Sequence, residues 1–253
     1  MYDWKIFDGA ATVHALPSST VSTFNSYAEH IFSPFTVNHL QTGKRVDIEW
    51  DTYKENSIEH STREKRGKGQ RRKVTGETKI PPNWKVFLQD NTNMKEFFAM
   101  LRNRVADFKF PEDKKVYITS EEYVISSQGP SYMQSCDHEE ADTRIAVHVL
   151  HALNKGYNEK FIRTVDTGVV VILIGLFPDL IAMHPSASIW IGLGMRKYLQ
   201  NINVNAICAS LGPETSRPLP IFHCFTGCDT NSCFFGKGKK SAREAWKSYP
   251  DVT

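Results

Sequence analysis

The sequence predicts an α/β fold in which a central, mostly parallel sheet is flanked by helices. Short apolar segments typical of strands alternate with amphipathic segments typical of helices, and acidic residues repeatedly follow the predicted strands. With 253 residues, of which 40% are hydrophobic, the chain can bury a sizeable core. We divide it into an α/β domain at 1–222 and the start of a helix–turn–helix segment at 223–253.

The first elements follow from local patterns. "WKIFDGAATVHAL" predicts a strand ending at Asp8 and then a helix. Apolar positions at helical spacing continue from residue 24 until Pro34, which is expected to interrupt the helix. "KRVDIEWDTY" alternates apolar and charged residues, which predicts a half-buried strand ending at Asp51. Asn91 or Thr92 is expected to cap the next helix.

The second half continues the alternation. "KKVYITS" and "EEYVISS" predict two strands, and "HEEADTRIAVHVLHALNKGY" predicts a helix that Gly156 ends. "KFIRTVDTGVVVILIG" predicts a strand, a turn and a second apolar strand from Val169 to Phe177, or one long bulged strand. "ASIWIGLG" predicts a strand, and "KYLQNINVNAICASLG" a short strand with a helix. "LPIFHCF" and "KSAREAWKSY" predict helices on either side of a Gly-rich turn.

Six acids at predicted strand ends or helix starts form the candidate site: Asp8, Asp51, Glu140, Asp142, Asp166 and Asp229. Clustered carboxylates repel one another, and a divalent cation such as Mg²⁺ or Mn²⁺ removes that repulsion. Two such ions can activate water and stabilise the leaving oxygen in phosphodiester hydrolysis. Taken singly, each acid is more often a helix cap or a solvated loop residue. The metal-site hypothesis therefore requires that all six point into one cleft.

Basic residues gather in two segments, although the net charge is only +3. The first is a loop near 57–80, in which the candidates for binding a nucleic-acid backbone are Arg63, Lys65, Arg66, Lys68, Arg71, Arg72 and Lys73. The second is the Gly-rich turn, with Gly236, Lys237, Gly238, Lys239 and Lys240 before a helix. The alternatives are a solvated loop or a nuclear-localisation patch for the first, and an ordinary helix start for the second.

Two other chemistries use residues of the same region. Zinc could bind among His223, Cys224, Cys228, Cys233, Cys136 and His138, but no paired CxxC is present. Cys224 beside His223, or Ser232 beside Asp229, could act as a nucleophile, but the GxSxG elbow is absent. The low, odd cysteine count of five favours a reducing compartment over a disulfide scaffold. The longest apolar run, nine residues, is too short for a membrane span. Because "MYDWKIFDGA" shows no secretory signal and the cysteine count fits a reducing compartment, we expect an intracellular protein.

The blocks "IFDGAA", "IEWDTY", "EEADTRIAVHVL", "TVDTGVVVILIG" and "FTGCDTNSCFFGKGKKSAREAW" occur in the order seen in flap-endonuclease/XPG-type nucleases of the PIN-like fold. More closely, and over nearly the whole chain, the sequence resembles a group of metazoan, often transposon-associated proteins. The resemblance implies that the six acids are metal ligands and that DNA, rather than RNA, is the partner. It also implies that the loop from Thr62 to Lys73 corresponds to the arch of flap nucleases. The basic run itself suggests a nuclear location.

Two departures from the family pattern bear on activity. Where the group has "DTD", this chain has Asp166, Thr167 and Gly168, so one acid of the pair is missing. The chain also stops at Thr253, soon after the Gly-rich turn, where flap nucleases continue with more helices. The alternative function is therefore a catalytically decayed PIN-like module that binds nucleic acid or a protein.

Overall fold

The computed structural model describes residues 2–54, 57–58, 62–63, 69–129, 131–228, 231–232 and 235–248. Within them, seven strands form one sheet in the order β4-β3-β2-β1-β5-β6-β7. Five strands are parallel, and β4 and β7 pair antiparallel at the two edges. The strands are β1 (Trp4–Asp8), β2 (Arg45–Glu49), β3 (Lys115–Ser120), β4 (Tyr123–Ser126), β5 (Glu159–Thr164), β6 (Ser188–Leu193) and β7 (Gln200–Asn203). The predicted α/β class with a mostly parallel, helix-flanked sheet is confirmed.

Helices cover both faces of the sheet. The described helices are α1 (Gly9–Ala15), α2 (Phe24–Tyr27), α3 (Ser33–Gln41), α4 (Trp84–Phe87), α5 (Asn91–Asp107), α6 (Ala141–Asn154), α7 (Thr167–Met183), α8 (Val204–Leu211), α9 (Pro213–Ser216), α10 (Leu219–Phe225) and α11 (Lys239–Ser248). Successive strand residues point to opposite faces. In β1, Phe7 therefore joins the core with α2, α3 and α5, whereas Ile6 joins the core with α6, α7 and α8.

Two predictions about the early helices are wrong in detail. Pro34 does not interrupt the helical segment: it lies in the first turn of α3, directly after a π-helical turn in which Ser33 N donates to Ala28 O. A π-helical turn (Ala28–Phe32) joins α2 to α3. The cap of α5 is Asp90, whose carboxylate accepts a hydrogen bond from Asn93 N at 2.8 Å, and not Asn91 or Thr92.

Strand β2 is buried on both faces, so the expectation of a half-buried strand is wrong. Its charged residues Arg45, Asp47 and Glu49 are as inaccessible as its apolar ones. Arg45 Nε and Nη2 donate to Asp47 at 2.7 and 2.6 Å. His148 of α6 lies between the Asp47 and Glu49 carboxylates. Buried charges are tolerated when they are paired in this way.

The apolar run from Val169 to Phe177 is helical, which corrects both predictions of a strand. It belongs to α7, which packs against α6, α8, α9 and α10 as well as the sheet. A helix surrounded by other elements is apolar on most sides, and its sequence then lacks the 3.6-residue period. No helix in the described ranges is long and apolar enough to cross a membrane.

The remaining predicted strands and helices are present among the described residues, whereas the helix–turn–helix assignment of 223–253 stays a prediction. Helix α6 follows "HEE", and Gly156 just beyond its end has φ of 81°. Strands β3 and β4 form a hairpin, and β7 leads directly into α8. Helices α10 and α11 flank the Gly-rich turn, in which residues 229–230 and 233–234 lie outside the described ranges.

Candidate functional site

The candidate site lies where the strand order reverses. Strands β1 and β5 are neighbours, but the connection after β1 leads to β2 on one side and the connection after β5 leads to β6 on the other. A crevice opens at this point in doubly wound sheets. Asp8 ends β1, Asp51 follows β2 by two residues, and Asp166 follows β5 by two residues. Three adjacent parallel strands thus deliver one acid each to the same edge.

The start of α6 brings two further acids to this edge. Glu140 is the residue before the helix, and Asp142 lies in its first turn. Ala141 N donates to Asp51 Oδ1 at 3.0 Å, which joins the start of α6 to the end of β2. A cavity of about 680 Å³, the acid cavity, is lined by all five of these carboxylates. Asp229, the sixth predicted acid, lies outside the described residues.

Asp8, Asp51 and Asp166 also accept hydrogen bonds from backbone N–H groups. Asp8 caps α1 by accepting from Ala11 N at 2.9 Å, and Asp166 caps α7 by accepting from Gly168 N at 2.6 Å. Thr164 links these two acids, because it donates to Asp8 Oδ2 at 3.5 Å and its hydroxyl accepts from Asp166 N at 3.0 Å. Asp8 and Asp166 are therefore helix caps, as the alternative interpretation expects, and they also line the acid cavity. Each cap fixes the direction in which a carboxylate faces the cavity.

Mutual repulsion is visible in the acid–base properties of the cluster. Burial, followed by the charges of Asp166 and Glu140, raises the pKa of Asp142 to about 8. Burial and the Asp51 charge raise the pKa of Asp8 to about 7. The five acids cannot all be ionised near neutral pH without a compensating positive charge. The donor set, carboxylate oxygens alone, suits a hard divalent cation.

The carboxylates have the chemistry of cation ligands, but their side chains are not arranged around one point. Among the described residues, no three His, Cys, Asp or Glu side chains are arranged so that they could hold a metal ion. Because the carboxylates occupy one cavity but do not enclose a common point, cation binding would require side-chain rotation toward that point.

Gly168, where the family resemblance leads one to expect an acid, lies directly against the cluster. A Cβ atom at this position would clash with Asp142 Oδ2 and lie 3.1 Å from Asp166 Oδ1. The glycine therefore makes room for the Asp142 carboxylate over the first turn of α7. An acid at this position would enter the same cavity and would displace the Asp142 side chain.

The described basic residues fall into three groups. Arg63 lines the acid cavity, pairs with Glu139 at 3.0 Å and lies over the Tyr53 ring at 4.7 Å. Arg71 binds Glu96 and Asn93, and Lys239 donates to the carbonyls of His223 and Gly227, so both side chains serve internal contacts. The other described candidates for binding a nucleic-acid backbone are exposed: Arg72, Lys73, Gly236, Lys237, Gly238 and Lys240. Lys65, Arg66 and Lys68 lie outside the described residues.

The thiols predicted as zinc ligands lie partly at the same cavity. His223, Cys224 and Cys228 line it, whereas Cys233 is outside the described ranges. Cys136 and His138 do not line it, and Cys136 N bonds to Glu122 O at the β3–β4 hairpin. Burial and the neighbouring Cys228 raise the pKa of the Cys224 thiol, which disfavours the thiolate that zinc binds.

A buried ionic network beneath the cavity was not recognised from the sequence. Although burial alone would lower it, Glu49 and Asp47 raise the pKa of His148 to about 9, so the imidazole is cationic at neutral pH. Arg144, also buried, lies 3.6 Å from Glu49 and donates to Thr52 Oγ1 at 2.7 Å. Arg144 and His148 are four residues apart in a predicted helix, so the sequence indicated that both lie on the same face of α6. The network fixes α6, which carries Asp142, against the strand that leads to Asp51.

Comparisons of the chain with protein-family models, with curated proteins and with solved structures found no match.

Proposed function

We propose that this chain is a PIN-like, Mg²⁺- or Mn²⁺-dependent nuclease that hydrolyses phosphodiester bonds in structured or single-stranded nucleic acid, with DNA preferred to RNA. The observation that carries the proposal is the convergence of Asp8, Asp51, Glu140, Asp142 and Asp166 on one cavity. That cavity lies at the carboxyl ends of three adjacent parallel strands, where active sites form in open α/β sheets.

In this proposal the acids hold divalent cations and the basic residues hold the backbone. The raised pKa values of Asp8 and Asp142 support this role, because a nearby cation would favour the ionised form of both carboxylates. Bound cations would supply an activated water and charge stabilisation for the leaving oxygen. Arg63 lines the cavity and could contact a phosphate beside it.

The same proposal includes the PIN-like fold and the roles of the C-terminal segment and the basic loop. The order of the acid-bearing segments supports the PIN-like assignment, and the α10–turn–α11 segment would contact the duplex backbone through its exposed Lys237 and Lys240. The basic loop would serve as the arch, and a nuclear location would follow from its composition.

A second candidate is a PIN-like module that binds nucleic acid or a protein without cleaving it. Two observations favour it. The described carboxylates do not form a metal-holding group as they stand, and Gly168 replaces an acid of the expected pair. In this case the cluster would be retained for its capping contacts.

A cleavage assay on flap, hairpin and single-stranded DNA, and on matching RNA, separates these candidates. The decisive variant is Asp166→Asn, because asparagine keeps the cap of α7 but removes the charge. Asp90→Asn is the matched control, since Asp90 caps α5 outside the cavity. We expect the wild type and the control to cleave with Mg²⁺ or Mn²⁺, and Asp166→Asn to lose cleavage.

Other outcomes assign the second candidate or reject the site. Cleavage that appears only in Gly168→Asp would indicate a decayed nuclease. Binding without cleavage in every variant would support the binding module. Equal cleavage by wild type and Asp166→Asn would show that the acid cavity is not the catalytic site.

A further inference from the structure

A second cavity adjoins the acid cavity and is not used by the proposed chemistry. It has a volume of about 300 Å³ and lies among α1, α3 and the half-buried Phe161 and Arg163 of β5. We name it the aromatic pocket. Ala11, Val165 and Met195 line both cavities, so the two spaces are continuous neighbours. A ligand anchored in one could extend into the other.

Aromatic rings form much of the wall. Phe7 lies 5.0 Å from Phe35 and 4.5 Å from His39 between ring centroids, and Phe35 lies 4.6 Å from His39. Phe161 of β5 lines the pocket as well. Burial, with the charge of Lys5, lowers the pKa of His39 to about 4, so this ring is neutral at pH 7. The wall therefore offers flat, uncharged surfaces.

One cation faces this wall. Arg163 Nη1 donates to Thr164 O at 3.1 Å and to Gly192 O at 2.7 Å, which holds the guanidinium in place. Gly192 is needed for this arrangement, because a Cβ atom there would lie 2.7 Å from Phe161 Cζ and 3.3 Å from Arg163 Cδ. Among the residues that line the pocket, Arg163 alone is ionised at neutral pH.

We infer that the aromatic pocket binds a nucleobase of a nucleic-acid strand whose adjoining phosphate lies at the acid cavity. Three features carry the inference: aromatic walls, a fixed guanidinium plane and direct continuity with the carboxylate cluster. A base has apolar faces that stack on aromatic rings and on guanidinium planes, and polar edges that accept hydrogen bonds. The volume lies at the lower end of the range for small-ligand pockets, roughly 300–1,000 Å³. The inference rests on the proposed function only for the class of ligand, a nucleic acid.

The pocket can be filled without disturbing the core. Ala15, the last residue of α1, lines the pocket and is exposed, so Ala15→Phe places a ring in the space that the base would occupy. Ala209→Phe is the matched control, because Ala209 is an exposed alanine near the end of α8 that lines neither cavity. Melting temperatures of both variants verify that they are folded.

The assay measures binding of fluorescent single-stranded oligonucleotides in Ca²⁺, with no cleavage required. One probe carries intact bases and the other carries a single abasic position, which is moved along the strand. We expect the wild type and Ala209→Phe to bind the intact strand about tenfold more tightly than the strand whose abasic position falls at the pocket. Ala15→Phe is expected to bind both strands with the weaker affinity.

The outcomes separate this inference from the proposed nuclease. A wild-type chain that tolerates an abasic position everywhere, or an Ala15→Phe variant that retains the preference for the intact strand, would overturn the base pocket even if cleavage occurs. Base-dependent binding with no cleavage under any metal would keep the pocket and reject the nuclease. Absence of nucleic-acid binding by the wild type would reject both.

Discussion

Neutralising one carboxylate of the acid cavity should stabilise the fold in the absence of metal. The perturbation is Asp142→Asn, which preserves size but removes a charge that burial disfavours most and that Asp166, Glu140, Asp8 and Asp51 also disfavour. The residue is half-buried at the start of α6, and its carboxylate lies against Gly168. An amide at this position relieves the repulsion and leaves the shape of the cavity unchanged.

The size of the effect follows from the pKa of Asp142, which rises from the ordinary 3.8 to about 8. Each pKa unit corresponds to ~1.36 kcal/mol, so the full shift sets an upper limit of about 6 kcal/mol above pH 8. The cavity opens to solvent, which screens part of the repulsion, and we expect a gain of about 2 kcal/mol. For a chain of this size that gain raises the melting temperature by roughly 4–8 °C.

The destabilisation caused by the ionised Asp142 carboxylate should depend on pH. Because the folded-state pKa is raised, no penalty exists below the unfolded-state pKa of 3.8, where both states are protonated. The penalty grows as the pH rises from 3.8 to about 8 and is constant above that value. The stabilisation by Asp142→Asn should therefore be large at pH 8.5 and small at pH 5.

Calorimetric melting in EDTA at pH 5 and at pH 8.5 measures this difference. Asp113→Asn is the control, because the Asp113 side chain is 75% exposed, and we expect it to leave the melting temperature nearly unchanged. A melting temperature of Asp142→Asn that is lower than wild type at pH 8.5, or equally raised at both pH values, would refute the argument that burial and the neighbouring acids destabilise the ionised Asp142 carboxylate.

Two further predictions concern the cation and the network. Added Mg²⁺ or Mn²⁺ should raise the melting temperature of the wild-type chain at pH 8.5, as any ligand specific to the folded state does, and an unchanged value would contradict a cation site. His148→Leu should cost about 3–5 kcal/mol in chemical denaturation, because Asp47 and Glu49 would stay buried without their cation. His30→Leu, an exposed histidine, is the control, and equal losses in both variants would show that the buried pairing is not the cause.

The candidate site shows what a single sequence can and cannot reveal. Asp8, Asp51 and Asp166 could be found because each follows a segment with a readable strand pattern, and parallel strands end at one edge. Their shared cavity could not be found, because it depends on the order β2-β1-β5, which no local pattern encodes. The aromatic pocket was missed for the same reason, since Phe7, Phe35 and Phe161 come from three elements distant in the chain.

The sequence by itself determined the alternation of strands and helices, the ends of most elements and the chemical type of the candidate site, because these depend on neighbours a few residues apart. Only the tertiary structure decided that Val169 to Phe177 is a helix. A continuous apolar run has no period, and here it is apolar because helices and sheet surround it. Tertiary structure also decided that the charged side of β2 is buried, since Asp47 finds its partner His148 101 residues away.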